Sequence, residues 1–225
     1  SGRLLGTASQ IERRCTFHGP WPPPGERGGV FFSGHLGNWE VTARAVRSRL
    51  GRLRMVARRI ASPEIDEIAT RSRGGPEDVI PKHGAYRDLV RSVRDGHWVL
   101  IVGDQNAGLR GIFVPFFGLE ASTWETPARL ALREGVPLDL VAAIRRPGRD
   151  LHFDVHRERL DDGSEASRDR EAVRALTARA QARLEALIRE TPEQYNFLHR
   201  RWKDRPADEA PGRRLPRYDH RGAPG

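Results

Sequence analysis

Residues 29–41 read GVFFSGHLGNWEV. The run GVFFS (29–33) has the length and apolarity of a buried strand. His35 follows it between Gly34 and Gly37, and residues 38–50 carry Val41, Ala45 and Val46 on one side of a predicted helix. A strand delivering a lone imidazole into a helix start predicts an α/β fold. It also places His35 at the carboxyl end of a strand, where ligands bind in open α/β sheets.

The flanking sequence repeats that alternation. LRMVA (53–57), EDVIPK (77–82), HWVLIVGD (97–104) and VPLDLVAAIRR (136–146) read as strands. Helices are predicted at 62–73, where Ser62 caps and Pro63 opens the first turn, and at 85–96, 126–135 and 168–190. LHFDVHRE (151–158) alternates strictly and reads as an edge strand. The predicted class is α/β: a mostly parallel central sheet with an antiparallel edge, flanked by helices. Residues 1–28, with HGPWPPPGERGG, read as an irregular segment. Residues 29–206 form the predicted domain, and 207–225, rich in Pro, Gly and charge, a disordered tail.

Composition restricts the function classes. The 225 residues contain one cysteine, Cys15, so no internal disulfide forms and a thiolate metal site is disfavoured. No metal ligand set is predicted. The net charge is +9, and only Lys82 and Lys203 are lysines among 39 basic residues. So lopsided an Arg excess reflects base composition as much as function, although it suits phosphate-bearing or anionic partners. No apolar run reaches the ~18 residues of a membrane span. The abrupt start SGRLLGTASQ leads us to expect that an upstream membrane anchor is missing.

The spacing H-x-x-x-x-[DE] is weak on its own. Eight His and 30 acids should give about one match by chance, and four occur: His35/Glu40, His83/Asp88, His156/Asp161 and His199/Asp204. Only His35 follows an apolar strand directly and precedes a helix start. Two readings stay open. Glu40 orients one imidazole nitrogen so that the other deprotonates a hydroxyl; or His35 packs at a strand end and Glu40 serves the helix dipole. Gly34 and Gly37 would leave room for a substrate, and the N–H groups of Gly37 and Asn38 would receive an oxyanion. GDQNAG (103–108) also sits at a strand's carboxyl end. GIFVPFFG (111–118), with Phe113, Phe116 and Phe117, is either a core strand or the wall of a site for a greasy substrate.

SGHLGNWE, GDQNAG, IFVPFFG and PEQYNFLHRRWKDRP (192–206) occur in that order. In series they resemble the bacterial lipid A late acyltransferases of the lauroyl/myristoyltransferase type, within the lysophospholipid and glycerolipid acyltransferases. The likeness runs from about Gly29 to Pro206. It implies a glycerolipid-acyltransferase-like fold and transfer of a fatty acyl chain from a thioester of acyl carrier protein or CoA to a hydroxyl of a membrane glycolipid. It implies His35 as general base with Glu40 as partner, no covalent acyl-enzyme and no cofactor beyond the thioester co-substrate. Asn38, Arg58, Arg73, Asp104, Gln105, Phe116 and Phe117 become substrate-binding candidates, Arg58 for a phosphate or thioester oxygen and Asp104 as a holder of an Arg. Arg200, Arg201 and Lys203 become candidates for lipid phosphates. An anionic membrane surface at the cytoplasmic face of the bacterial inner membrane is the expected location. The chain departs from the family pattern at STWETP and at Asp139 in PLDLVAA, which leaves acceptor identity open. The alternatives are a CoA-dependent acyltransferase of another glycolipid, of the phosphatidylinositol-mannoside type, and a non-catalytic basic module for anionic lipid or nucleic acid. The apolar FVPFF run and the shortage of aromatic stacking platforms disfavour nucleic acid.

Overall fold

The computed structural model describes residues 8–23, 26–51, 53–82, 84–148 and 151–207. Among them, β2 (Val30–Ser33), β3 (Leu53–Ala57), β4 (Val79–Pro81), β5 (Trp98–Val102) and β8 (Leu138–Arg145) run parallel in one sheet. β9 (Phe153–Asp161) turns back antiparallel to β8, and β1 (Cys15–His18) pairs with β9. The order is β1-β9-β8-β2-β5-β3-β4. The class and the antiparallel edge are as expected, but the edge is two strands wide.

Two expectations are corrected by β1. The N-terminal segment is not irregular throughout: it forms α1 (Ala8–Arg13) and β1. Consequently β9 is not the edge strand. Its alternating burial comes from one covered and one half-open face, with β1 hydrogen-bonded along its outer side. Cys15 on β1 is buried, and burial pushes its thiol up to about 11, so it is held as an inert thiol. His83 and the expected tail at 208–225 lie outside the described residues.

The period of two in the central strands separates the core into two layers. Val30, Phe32, Val99, Ile101 and Leu140 face α4 (Ala85–Arg94), α5 (Thr126–Glu134) and α6 (Arg170–Glu190). Phe31, Trp98, Leu100 and Val141 face α1 and α2 (Trp39–Leu50), with Phe31 stacked on Trp98 at 4.5 Å. The remaining helix, α3 (Pro63–Ser72), is capped by Ser62 as expected, yet buries none of its residues.

The middle of GIFVPFFG, Ile112–Phe116, is a strand. β6 (Ile112–Phe116) and β7 (Leu119–Thr123) form a separate antiparallel ribbon. Phe117 and Gly118 both take positive φ, 51° and 75°, as a two-residue hairpin turn with right-handed strand twist requires. The C-terminal block ties this ribbon down. Arg201 donates to the Ser122 carbonyl and the Thr123 hydroxyl, and Trp202 Nε1 donates to the Phe116 carbonyl at 3.3 Å.

Asp139, out of place in an apolar strand, is explained by β9. It is fully buried, and it accepts from Arg157 at 2.6 and 2.9 Å and from Arg159. Removing one partner of a buried ion cluster strands the other charges, at a cost of about 3–5 kcal/mol. Asp139→Ala should therefore lower the unfolding free energy by about 3–5 kcal/mol in urea titrations. A loss below about 1 kcal/mol would show that the cluster is solvated.

Candidate functional site

The register between β2 and β5 builds the site. Ser33 lies opposite Val102. Two residues further along each strand the chain reaches His35 and Asp104, so two parallel strand ends present an imidazole beside a carboxylate. Asp104 Oδ2 accepts the His35 backbone N–H at 2.8 Å, and Oδ1 accepts from His35 Nδ1 at 2.7 Å. Because an ionised carboxylate only accepts, Nδ1 carries the proton and Nε2 carries the lone pair. The Asp104 side chain is 1% exposed and that of His35 25%. The acid is dry and the imidazole reaches an opening.

Tyr195 completes the arrangement. Burial, together with the neighbouring Asp104 carboxylate, pushes its phenol well above its ordinary value. It therefore stays protonated beside the acid. The loop holding Tyr195 is fixed by backbone bonds from Gly37 N–H to the Gln194 carbonyl and from Asn196 N–H to the His35 carbonyl. Arg201, also buried, adds a positive charge near this acid. Burial lowers its guanidinium to about 10, and the nearby Tyr195 and Asp104 act in the opposite sense.

Glu40 is not the partner of His35. It lies in the first turn of α2 and takes a forked pair from Arg73, with Nη2 at 2.6 Å and Nε at 3.2 Å. Arg73 also lies over the Trp39 ring at 5.1 Å. The expectation that Asp104 holds an Arg is likewise replaced, since both its oxygens accept from His35. Local spacing in the chain placed Glu40 one helical turn beyond the imidazole, whereas the strand register supplied a nearer acid.

The expected oxyanion donors are also occupied. Gly37 N–H donates to the Gln194 carbonyl, and Asn38 N–H donates to the Ala143 carbonyl at 2.9 Å. Asn38 works as the α2 cap, its Oδ1 accepting from Val41 N–H. Nor do the glycines leave room for a substrate. A Cβ on Gly37 would lie 2.1 Å from the Ala143 carbonyl oxygen, and one on Gly34 would press on Leu184. Both allow the chain to pack against itself.

His35 opens onto a cavity of about 640 Å³, within the range of small-molecule sites. Gln105, Arg58, Arg73 and Lys82 supply its polar rim, and Tyr86, Leu89, Ile101 and Val102 its apolar wall. Trp124 also lines it, with the Lys82 ammonium 5.6 Å from its ring. The Gln105 amide donates to His35 Nε2 at 3.3 Å. Arg58 is exposed and has no ion pair among the described residues. Phe116 and Phe117 line nothing here. Phe116 is fully buried against Phe117, Tyr195 and Trp202, and Phe117 meets the Arg189 guanidinium. Arg201 is core, not a headgroup contact, while Arg200 and Lys203 are exposed.

Sequence reading missed Tyr195, His199, Lys82 and Trp124 as site residues. Asn106 N–H donates to His199 Nε2 at 2.9 Å, and burial lowers the His199 pKa, so this imidazole is held neutral beside the first. The signal was available only as position: Lys82 and Trp124 directly follow strands, while Tyr195 and His199 lie in the PEQYNFLHRRWKDRP block after α6. Among the described residues no group of three or more His, Cys, Asp or Glu is placed to hold a metal.

Proton–nitrogen NMR of labelled histidine tests the assignment. His35 should show a hydrogen-bonded Nδ1 proton that disappears in Asp104→Asn and persists in Glu40→Gln. The reverse pattern would return Glu40 to the partner role.

Comparison with known proteins bears on what this cavity belongs to. No curated protein matches the chain. Among solved structures, the 1-acyl-sn-glycerophosphate (LPA) acyltransferase PlsC from Thermotoga maritima is similar, with a TM-score of 0.49 and 13% identity, over 84% of this chain and 81% of that one. The profile of the bacterial lipid A biosynthesis acyltransferase family matches residues 25–204, which include the parallel strands, the cavity and the C-terminal block. The chain belongs to the bacterial lipid A biosynthesis acyltransferase family.

Proposed function

We propose that the protein transfers a fatty acyl chain from a thioester, on acyl carrier protein or CoA, to a hydroxyl of a membrane glycolipid such as a lipid A precursor, at the cytoplasmic face of the inner membrane. The observation that carries this reading is the His35–Asp104 pair, with the lone pair of His35 Nε2 at the mouth of a part-apolar cavity and met only by the Gln105 amide at 3.3 Å. A thioester is already activated, so the protein has to align the alcohol, remove its proton and keep water out.

His35 Nε2 is the base. The acceptor hydroxyl takes the place of the Gln105 amide and gives its proton to Nε2 as its oxygen attacks the thioester carbonyl. Asp104 stabilises the imidazolium that forms. The tetrahedral intermediate collapses by breaking the C–S bond, and the proton on Nε2 passes to the departing thiolate. Ester and thiol leave, and no acyl-enzyme is formed. With the Gly37 and Asn38 amides committed, the displaced Gln105 amide and the Arg58 guanidinium are the donors placed to meet the developing oxyanion. Glu40 acts at one remove, holding Arg73 at the rim where a phosphate or thioester oxygen would bind. The mechanism asks for no metal or cofactor beyond the thioester.

The test is lipid mass spectrometry after incubating a lipid A precursor with acyl carrier protein and CoA thioesters. His35→Ala and Asp104→Asn should each lose about 10²–10⁴-fold in kcat. Glu40→Gln should act mainly through KM. Near-normal turnover by His35→Ala would refute the general-base role.

A further inference from the structure

A second cavity, of about 630 Å³, lies beside the start of α5. It shares no lining residue with the His35 cavity: Trp124 and Thr126 line that one, and Glu125 between them lines this one. Its walls come from three segments. The turn Gly108–Arg110 brings Leu109 and Arg110, α5 brings Arg129 and Arg133, and the start of α6 with the residues before it brings Arg168 and Arg170. Five arginines thus line one cavity whose lining holds a single carboxylate, Glu125.

Exposed arginines elsewhere pair one to one with acids, as Arg71 does with Glu67 and Arg183 with Glu158, or stand alone, as Arg91 does. Here they converge, and their repulsion is left largely unanswered. Arg129 and Arg133 are one turn apart on α5, a spacing at which like charges oppose the helix. Glu125 answers Arg129, but Glu134 gives its carboxylate to Arg94 at 2.7 Å and meets Arg133 only at 3.6 Å. Arg168 and Arg170 flank Asp169, the cap of α6, at the end of a helix where acids rather than bases are favoured. Neither Asp169 nor Glu171 lines the cavity, and the Asp169 carboxylate accepts the Ala172 N–H at 3.0 Å. Arg110, Arg168 and Arg170 have no ion pair among the described residues. Leu109, Ile112 and Val173 give the cavity an apolar side, with Leu109 88% exposed at its edge.

We propose that this cavity binds a nucleoside polyphosphate, its phosphates held by the arginines and its base laid against Leu109 and Ile112. Guanidinium forks match phosphate oxygens in pairs, and three forks without an ion pair call for more than one phosphate. The volume is that of a small-molecule site. A single inorganic phosphate would leave the apolar side bare. A nucleic acid strand would need aromatic platforms for successive bases, and the lining holds no aromatic residue. Two sources offer the ligand: a free nucleotide, or the phosphorylated nucleotide end of a CoA thioester. The second source rests on the reading above that a thioester is the donor, whereas the cavity does not.

The test is isothermal titration calorimetry with adenosine 3′,5′-bisphosphate, CoA, adenosine, inorganic phosphate and a single-stranded RNA. Wild type should bind the bisphosphate at one site, more weakly as salt rises, and should bind adenosine or inorganic phosphate about tenfold or more weakly. Arg168→Ala with Arg170→Ala should weaken bisphosphate binding about tenfold or more. Arg91→Ala on α4 should bind as wild type does, and circular dichroism melts check that the variants are folded. CoA that displaces the bisphosphate, with a raised KM for CoA thioesters and an unchanged KM for carrier-protein thioesters in the double variant, would uphold the site and identify the donor as its source. Arginine-dependent bisphosphate binding that CoA leaves in place would uphold the site with a free nucleotide as its ligand. Such binding together with no acyl transfer by wild type would uphold the site and refute the proposed activity. If wild type ignores millimolar bisphosphate, if the double variant binds it as tightly as wild type, if adenosine binds equally well, or if only RNA binds, the cavity is not a nucleotide site.

Discussion

A buried carboxylate governs this structure. Asp104 is almost wholly removed from water, so each of its oxygens must be satisfied by the protein. Both are met from far along the chain, by the His35 backbone N–H and ring at the end of β2, while the C-terminal block brings the Tyr195 phenol close to the acid. The acid and the imidazole meet only if β2 and β5 are adjacent, parallel and in the observed register. A slip of one residue would turn His35 or Asp104 to the other face of the sheet. The core that fixes the register, Phe31 on Trp98 with Val30 and Phe32 on the other side, is thus also what fixes the imidazole.

Much of this was legible in the sequence. The strand before His35, the strand before Asp104 and the Ser62 cap of α3 follow from period, glycine and capping residues, and the four blocks pointed to the family; Asn38, read as a substrate contact, proved to be the cap of α2. What escaped was the pairing between blocks. Glu40 looked like the partner because it is close in sequence, but a helix carries it round to Arg73. Asp104 is distant in sequence and becomes a neighbour through strand register, which a single chain does not display. Phe116 failed for a similar reason. Its apolarity is visible in sequence, but whether it lines a cavity or fills the core depends on Trp202 and Tyr195, which arrive from the C-terminus. β1 was hidden by its brevity and by the Pro- and Gly-rich stretch after it.

The Arg excess divides by location. Arg157 and Arg159 neutralise Asp139 inside the sheet, Arg73 anchors Glu40, and Arg201 joins the β6–β7 ribbon to the C-terminal block. Exposed pairs such as Arg183 with Glu158 contribute little. Arg58 and Lys82 remain uncommitted beside His35. The composition suggested anionic partners only in general; among the described residues, cations without an ion pair lie beside the cavity, as Arg58 and Lys82 do, and also away from it, as Arg91 and Arg168 do.

The central claim is that His35 and Asp104 act as one unit. A double-mutant cycle on single-turnover rates measures this directly. If they do, His35→Ala combined with Asp104→Ala will be no slower than His35→Ala alone, whereas Glu40→Ala will add its own loss to either. Independent, multiplying losses for His35 and Asp104 would contradict the account.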